Sequence, residues 1–190
     1  MAEGTVEKAR NAVISVVRGA GDIVGGVRLT VTDLVTGALK DVGEITSTAM
    51  GVVTDTVKGA IRGTREAGTE AAAGSKAVVS GAVEAVASVG GDAITGAKNA
   101  VRAAVQGASE VGADVGATAV GAVEGAMEAA GRVGKNVTEV AAGAVDQAVE
   151  AAGEIGRDAL NAVKKGLSSA ASIPRDLVDS AIRREEDGSS

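Results

Sequence analysis

A pattern that returns every 22 residues governs what this chain can fold into. It runs through Val13, Val35, Val57, Val79, Val101, Val123, Val145 and Leu167. Half a period later stand Val24, Thr46, Gly68, Gly90, Gly112, Gly134, Gly156 and Val178, so the middle of the chain alternates valine and glycine every eleven residues. Within each eleven, small or apolar residues fall at positions 1, 4, 5, 8 and 11, as at Val145, Ala148, Val149, Ala152 and Ile155. That spacing is helical and contains no strand-like alternation. Eleven residues make three turns and about 20° over, which keeps the stripe nearly straight and favours a right-handed supercoil between partners. The stripe covers an arc of roughly 130°, wide enough for several neighbours or a flat surface.

The expected fold is therefore all-α: a long amphipathic helix or helical hairpin of 22-residue repeats, forming a right-handed hendecad coiled coil on assembly. Its assembly or lipid face comprises Val13, Val17, Val24, Val35, Leu39, Val57, Val79, Val83, Val101, Val105, Val123, Met127, Val145, Val149 and Leu167. Glycine weakens such a rod. All but Gly4 and Gly188 of the 28 glycines lie between Val13 and Gly166, and at about 0.8–1 kcal/mol each they cost an isolated helix about 20 kcal/mol. Folding and assembly are thus expected to be one event. Small residues also let backbones approach closely, as at Gly112/Gly116 and Gly121/Gly125. Gly68, Gly90, Gly112, Gly134 and Gly156 are the expected close-packing notches, each receiving a valine from a neighbour shifted by eleven residues.

Two interruptions divide the array. Residues 62–77 contain no Val, Ile, Leu or Met, which suits a hinge, and Pro174 ends the main array because it lacks an N–H donor. The expected organisation is a lead-in at 1–12, a first helical arm at 13–61, a hinge at 62–77, a second arm at 78–173, a short helix at 174–184 and a disordered tail at 185–190. Charge divides near the hinge too: residues 1–65 hold eight basic and seven acidic groups, and residues 66–190 hold eleven and eighteen.

Chemistry is scarce. The chain has no Cys, His, Phe, Trp or Tyr, which removes thiol and imidazole catalysis and the common zinc, haem and iron–sulfur ligand sets. A net charge of −6 without aromatic rings makes nucleic acid an unfavoured partner. Glycines 19, 21 and 25 in GAGDIVGG imitate a phosphate loop, but no strand precedes them, and the helical face is expected to continue through them. Acidic pairs such as Glu66/Glu70, Glu110/Asp114 and Glu154/Asp158 read as a solvated face, since one pair supplies too few oxygens for a cation. Lys76, Lys98 and Lys164 sit on one shoulder of the apolar arc, where their stems can lie along it. Asn136-Val137-Thr138 spells a glycosylation sequon without a secretion signal to use it. No catalytic residue, cofactor or metal site is expected, and no enzymatic activity.

The longest stretch free of charge is 45–54, about half of what a membrane-spanning helix needs. The expected location is cytoplasmic, free or peripheral to a membrane, neither secreted nor transmembrane.

Units such as AVEAAGEIGRDALNAVKKG resemble the amphipathic repeats of exchangeable apolipoproteins, synucleins and late-embryogenesis-abundant proteins, and more broadly hendecad coiled coils, over about residues 13–182. A stalk-type scaffold subunit of membrane-associated hydrogenase complexes is similar in the same general way. The faces of apolipoproteins are richer in Leu and aromatics, and the synuclein KTKEGV element is missing here. The resemblance implies a non-catalytic helical scaffold that self-assembles into a bundle, tube or stalk within a larger complex, with a homo-oligomer and a lipid or membrane surface as partners. It equally accommodates a peripheral coat on a membrane, lipid droplet or granule, or a disordered stress-protective chain.

Overall fold

The computed structural model describes residues 2–19, 21–42 and 47–188. Among them it is all-helical, with nine helices: α1 Ala2–Gly19, α2 Ile23–Val42, α3 Ser47–Glu66, α4 Ala71–Ser88, α5 Ala93–Glu110, α6 Val115–Arg132, α7 Val137–Ile155, α8 Arg157–Ser169 and α9 Arg175–Gly188. The single rod and the two-arm hairpin are thus corrected to a chain folded back on itself many times. Helices α4, α5, α6 and α7 start at 71, 93, 115 and 137, so one 22-residue repeat is one helix and one turn.

Glycine makes the turns. Gly68, Gly90, Gly112 and Gly134 adopt φ of 77°, 81°, 63° and 68°, a left-handed conformation that side chains with a Cβ resist. The next residue in each case, Thr69, Gly91, Ala113 or Lys135, donates its N–H to the carbonyl five residues back, on Thr64, Val86, Ala108 or Ala130, at 2.8–2.9 Å. This closes each helix with the same hydrogen-bonded cap. The following helix then starts at once: Asp92 accepts from the N–H groups of Ile94 and Thr95, Asp114 from Ala117, and Asn136 from Thr138 and Glu139. Gly156, at φ 143°, alone separates α7 from α8. These five glycines were expected as close-packing notches. The structure corrects that: four of them have no atom within 4 Å of a would-be Cβ, and Gly112 has only an Arg65 nitrogen at 4.0 Å.

Short turns reverse successive helices, and each helix also packs on the one two places earlier. The odd helices α1, α3, α5, α7 and α9 form one layer and the even helices α2, α4, α6 and α8 the other, with the core between them. That core is almost entirely valine and alanine. Where consecutive helices cross, a larger side chain meets a glycine: a Cβ on Gly74 would lie 3.0 Å from Thr64, and one on Gly96 would lie 3.0 Å from Val86.

Other boundaries shift for the same reason. Helix α1 occupies the presumed lead-in from Ala2, and residues 62–77 hold the end of α3, a turn and the start of α4. The helical face does not run through GAGDIVGG, because α1 stops at Gly19 and Asp22 starts the next helix by accepting from Gly25 N–H at 3.0 Å. Pro174 stands immediately before α9, its carbonyl accepting from Leu177. Helix α9 runs past 184 to Gly188, so residues 185–188 are helical and not a disordered tail; Ser189 and Ser190 lie outside the described residues.

Candidate interaction surfaces

Most of the expected assembly face is used inside the chain. Val13, Val35, Leu39, Val57, Val79, Val83, Val101, Val105, Val123, Val145, Val149 and Leu167 are buried, and Val17 and Met127 are half-buried against the same core. Val24 is the exception at 42% exposed, and it lies on α2 beside exposed Ile23 and Leu29, the latter 54% open. Three large apolar side chains therefore remain uncovered in the first two turns of α2.

Helices of the same layer approach through a different set of glycines. Gly81 of α4 lies against the Arg28 carbonyl of α2, and Gly121 and Gly125 of α6 lie against the Ala72 and Lys76 carbonyls of α4, closer than any Cβ could approach. In the odd layer Gly59 and Gly63 of α3 meet the Val6 and Arg10 carbonyls of α1, the second at 2.7 Å from the Cβ position. Valine does enter such a notch, Val13 at Gly63 and Val31 at Gly81. The pair Gly121/Gly125 is thus a close-packing pair, made between helices of one chain. At Gly143 the stem of Lys98 fills the notch, 2.8 Å from the would-be Cβ, so this lysine does lie along its neighbour's surface.

The acidic residues that recur at multiples of 22 positions form two columns with different structural tasks. Asp92 and Asp114 of one begin helices, as Asp22 of the other also does. Members of the other bind the helix two places earlier: Glu66 takes Arg10 at 2.5 Å, Glu110 takes Lys58 at 2.7 Å, and Glu154 takes Arg102. Glu44 lies outside the described residues. In the even layer the pairs connect into a chain, Arg28–Glu84 at 2.6 Å, Glu84–Arg132 at 2.5 Å, Arg132–Glu128, and Glu128–Lys76 at 3.3 Å. This chain ties α2, α4 and α6 together along one edge.

The ionisations follow the geometry. Hydrogen bonding from Arg10 holds the Glu66 carboxyl below the usual range, and Glu66 raises Arg10 in return. Glu84 raises Arg132, and Glu185 raises Lys164. Asp92 is lowered chiefly by the Thr95 hydroxyl, then by the Thr95 backbone N–H. Each shift stabilises the charged form of a group that joins helices or caps one.

No group of three or more Asp or Glu residues poised to hold a metal ion occurs among the described residues, and no described helix is long and apolar enough to cross a membrane. Comparison with models of known protein families found no match, and comparison with curated proteins found none either. Surface geometry is therefore the ground for a functional reading.

Proposed function

We propose that the protein is a non-catalytic helical scaffold that self-associates through the exposed first two turns of α2, which carry Ile23, Val24 and Leu29, and thereby organises a larger complex. The observation that carries this reading is the exposure of those side chains close together in sequence; among the described residues Val137 is the one other large apolar side chain that is exposed. Exposed large apolar side chains gathered at one end of a helix are a feature of interaction sites. The glycine notches and the ion-paired edge suit a stiff body, since each of α3 to α7 is held by neighbours on both sides and in the other layer. Self-association through an internal Val/Ala/Gly stripe is replaced in this reading by contact at the uncovered start of α2.

Light scattering of the purified chain during size exclusion tests it, alongside the double variant Val24→Glu, Leu29→Glu. The expected result is a helical oligomer in plain buffer that the variant reduces to a helical monomer. A wild-type monomer that sediments with lipid vesicles, and loses that property in the variant, would replace the scaffold with a lipid-surface coat. Helix formed only on drying would replace both with a stress-protective role.

A further inference from the structure

A cavity of about 240 Å³ lies where the α3–α4 turn meets the α5–α6 turn, lined among others by Thr64, Arg65, Thr69, Ala71 and Thr118. Its lining departs from the repeat. Counted from the turn glycines, Thr64 stands where the later repeats have Val86, Ala108 and Ala130, and Arg65 where they have Ala87, Ser109 and Gly131. Thr69 corresponds to Gly91, Ala113 and Lys135, and Thr118 to Gly74, Gly96 and Val140. Three hydroxyls and a guanidinium thus gather at one junction of a chain that elsewhere fills these places mainly with Ala, Gly and Val.

The hydroxyls there are not equally free. Thr64 donates its hydroxyl to the Ile61 carbonyl at 2.9 Å. The Thr69 hydroxyl oxygen is buried with no hydrogen-bond partner among the described residues, an arrangement that native proteins seldom leave unanswered. Thr118 is 1% exposed. Arg65 reaches along the turn to within 4.0 Å of the Gly112 Cβ position and has no ion pair among the described residues. Helix α4 begins at this cavity, and Glu70 at its N-cap makes no side-chain hydrogen bond, unlike Asp92, Asp114 and Asn136. The first N–H groups of α4 therefore keep their donor capacity and the positive end of its dipole. Of the nearby acids, Glu66 is held by Arg10, Glu110 by Lys58 and Asp114 by the Ala117 N–H, while Glu70 is exposed.

We propose that this cavity binds a small oxyanion, a phosphate or carboxylate group received by Arg65, the Thr69 and Thr118 hydroxyls and the N–H groups opening α4. An acceptor-only ligand with negative charge is what such a donor set recognises. The proposal does not depend on the scaffold reading.

Titration of the isotope-labelled full chain with sodium phosphate and, separately, sodium acetate tests it, against sodium chloride at the same ionic strength. Amide resonances of Thr69, Ala72 and Thr118 are expected to shift saturably with one of the two anions, which identifies the ligand class. The double variant Arg65→Ser, Thr69→Ala installs the repeat's own residues from Ser109 and Ala113, so its thermal midpoint should hold. Its affinity should fall at least tenfold. Thr118→Val, nearly isosteric and matching Val140 of a later repeat, should weaken binding in the same direction. Shifts no larger than those in chloride, or unchanged affinity in both variants, would overturn the proposal.

Discussion

Helix α2 and the two even helices that follow it in its layer carry different residues at one place, the eleventh of each helix. In α4 and α6 this is Gly81 and Gly125, pressed against a neighbouring carbonyl; in α2 it is Asp33, exposed to water. The first even helix has no earlier partner, and Gly37, which the 22-residue period sets in register with Gly81 and Gly125, has nothing within 4 Å of its would-be Cβ. Helical arrays need polar terminal elements for solubility. Asp33 supplies one, while Leu29 beside it leaves the flank apolar enough to be used.

The same contrast separates the N-terminal third from the middle. Helices α2 and α3 have 20 residues and α4, α5 and α6 have 18. Among the described residues, only the middle turns combine a left-handed glycine with an Asp or Asn cap two residues on. A repeat becomes regular where both its neighbours are repeats.

The largest effect should come from placing alanine at that eleventh position in each helix. Gly81→Ala and Gly125→Ala gain helix propensity yet force the backbones apart, and should lose about 2–3 kcal/mol each in urea unfolding. Asp33→Ala should change stability by only a few tenths of a kcal/mol, in the stabilising direction. Equal effects at the three sites would remove the distinction between an end and a middle.

Turn glycines give the next largest contrast. Gly112→Ala places a Cβ at φ 63° and should cost about 1–2 kcal/mol. Gly37→Ala, on α2 with nothing within 4 Å of its Cβ position, should instead stabilise by about 0.5–1 kcal/mol. Thermal melts of the two variants should move in opposite directions.

The smallest concerns the caps. Asp92→Ala should cost about 1 kcal/mol, and Asp92→Asn much less, since Asn136 performs the same task two repeats later. Because Asp92 is lowered in the folded chain, its ionic contribution is complete above the ordinary aspartate range near pH 4. It disappears as pH falls through the lower folded value, the unfolded chain taking up the proton first. Asp92→Asn should therefore flatten part of the acid limb of the stability profile. An unchanged limb would mean that Asp92 caps its helix no better charged than neutral.

Much of this was legible along the chain. The Val13 column and its companions at helical spacing mark the residues that the fold buries, and Pro174 marks the approach to the last helix. The turns were legible as well, for Gly90-Gly-Asp92, Gly112-Ala-Asp114 and Gly134-Lys-Asn136 each place a helix-ending glycine two residues before a helix-starting cap. Eleven-residue spacing hides that signal, because a glycine column half a period from a valine column fits equally well on an unbroken helix. What could not be read was which glycine faces which carbonyl, or that Thr64, Thr69 and Thr118 share a cavity, since those residues come together only when one turn stacks on another.

The amino-acid order alone determined that this protein is helical, that its apolar residues form a stripe of small side chains, and that helices must start and stop near fixed positions. Those properties arise from local sterics and hydrogen bonding within a few residues. Tertiary structure alone decided that most of the stripe is satisfied by the chain's own helices and that the start of α2 stays open. The apolar effect is non-directional: it rewards removal of valine from water without naming the neighbour, and the choice of neighbour fell to backbones that only glycine lets meet.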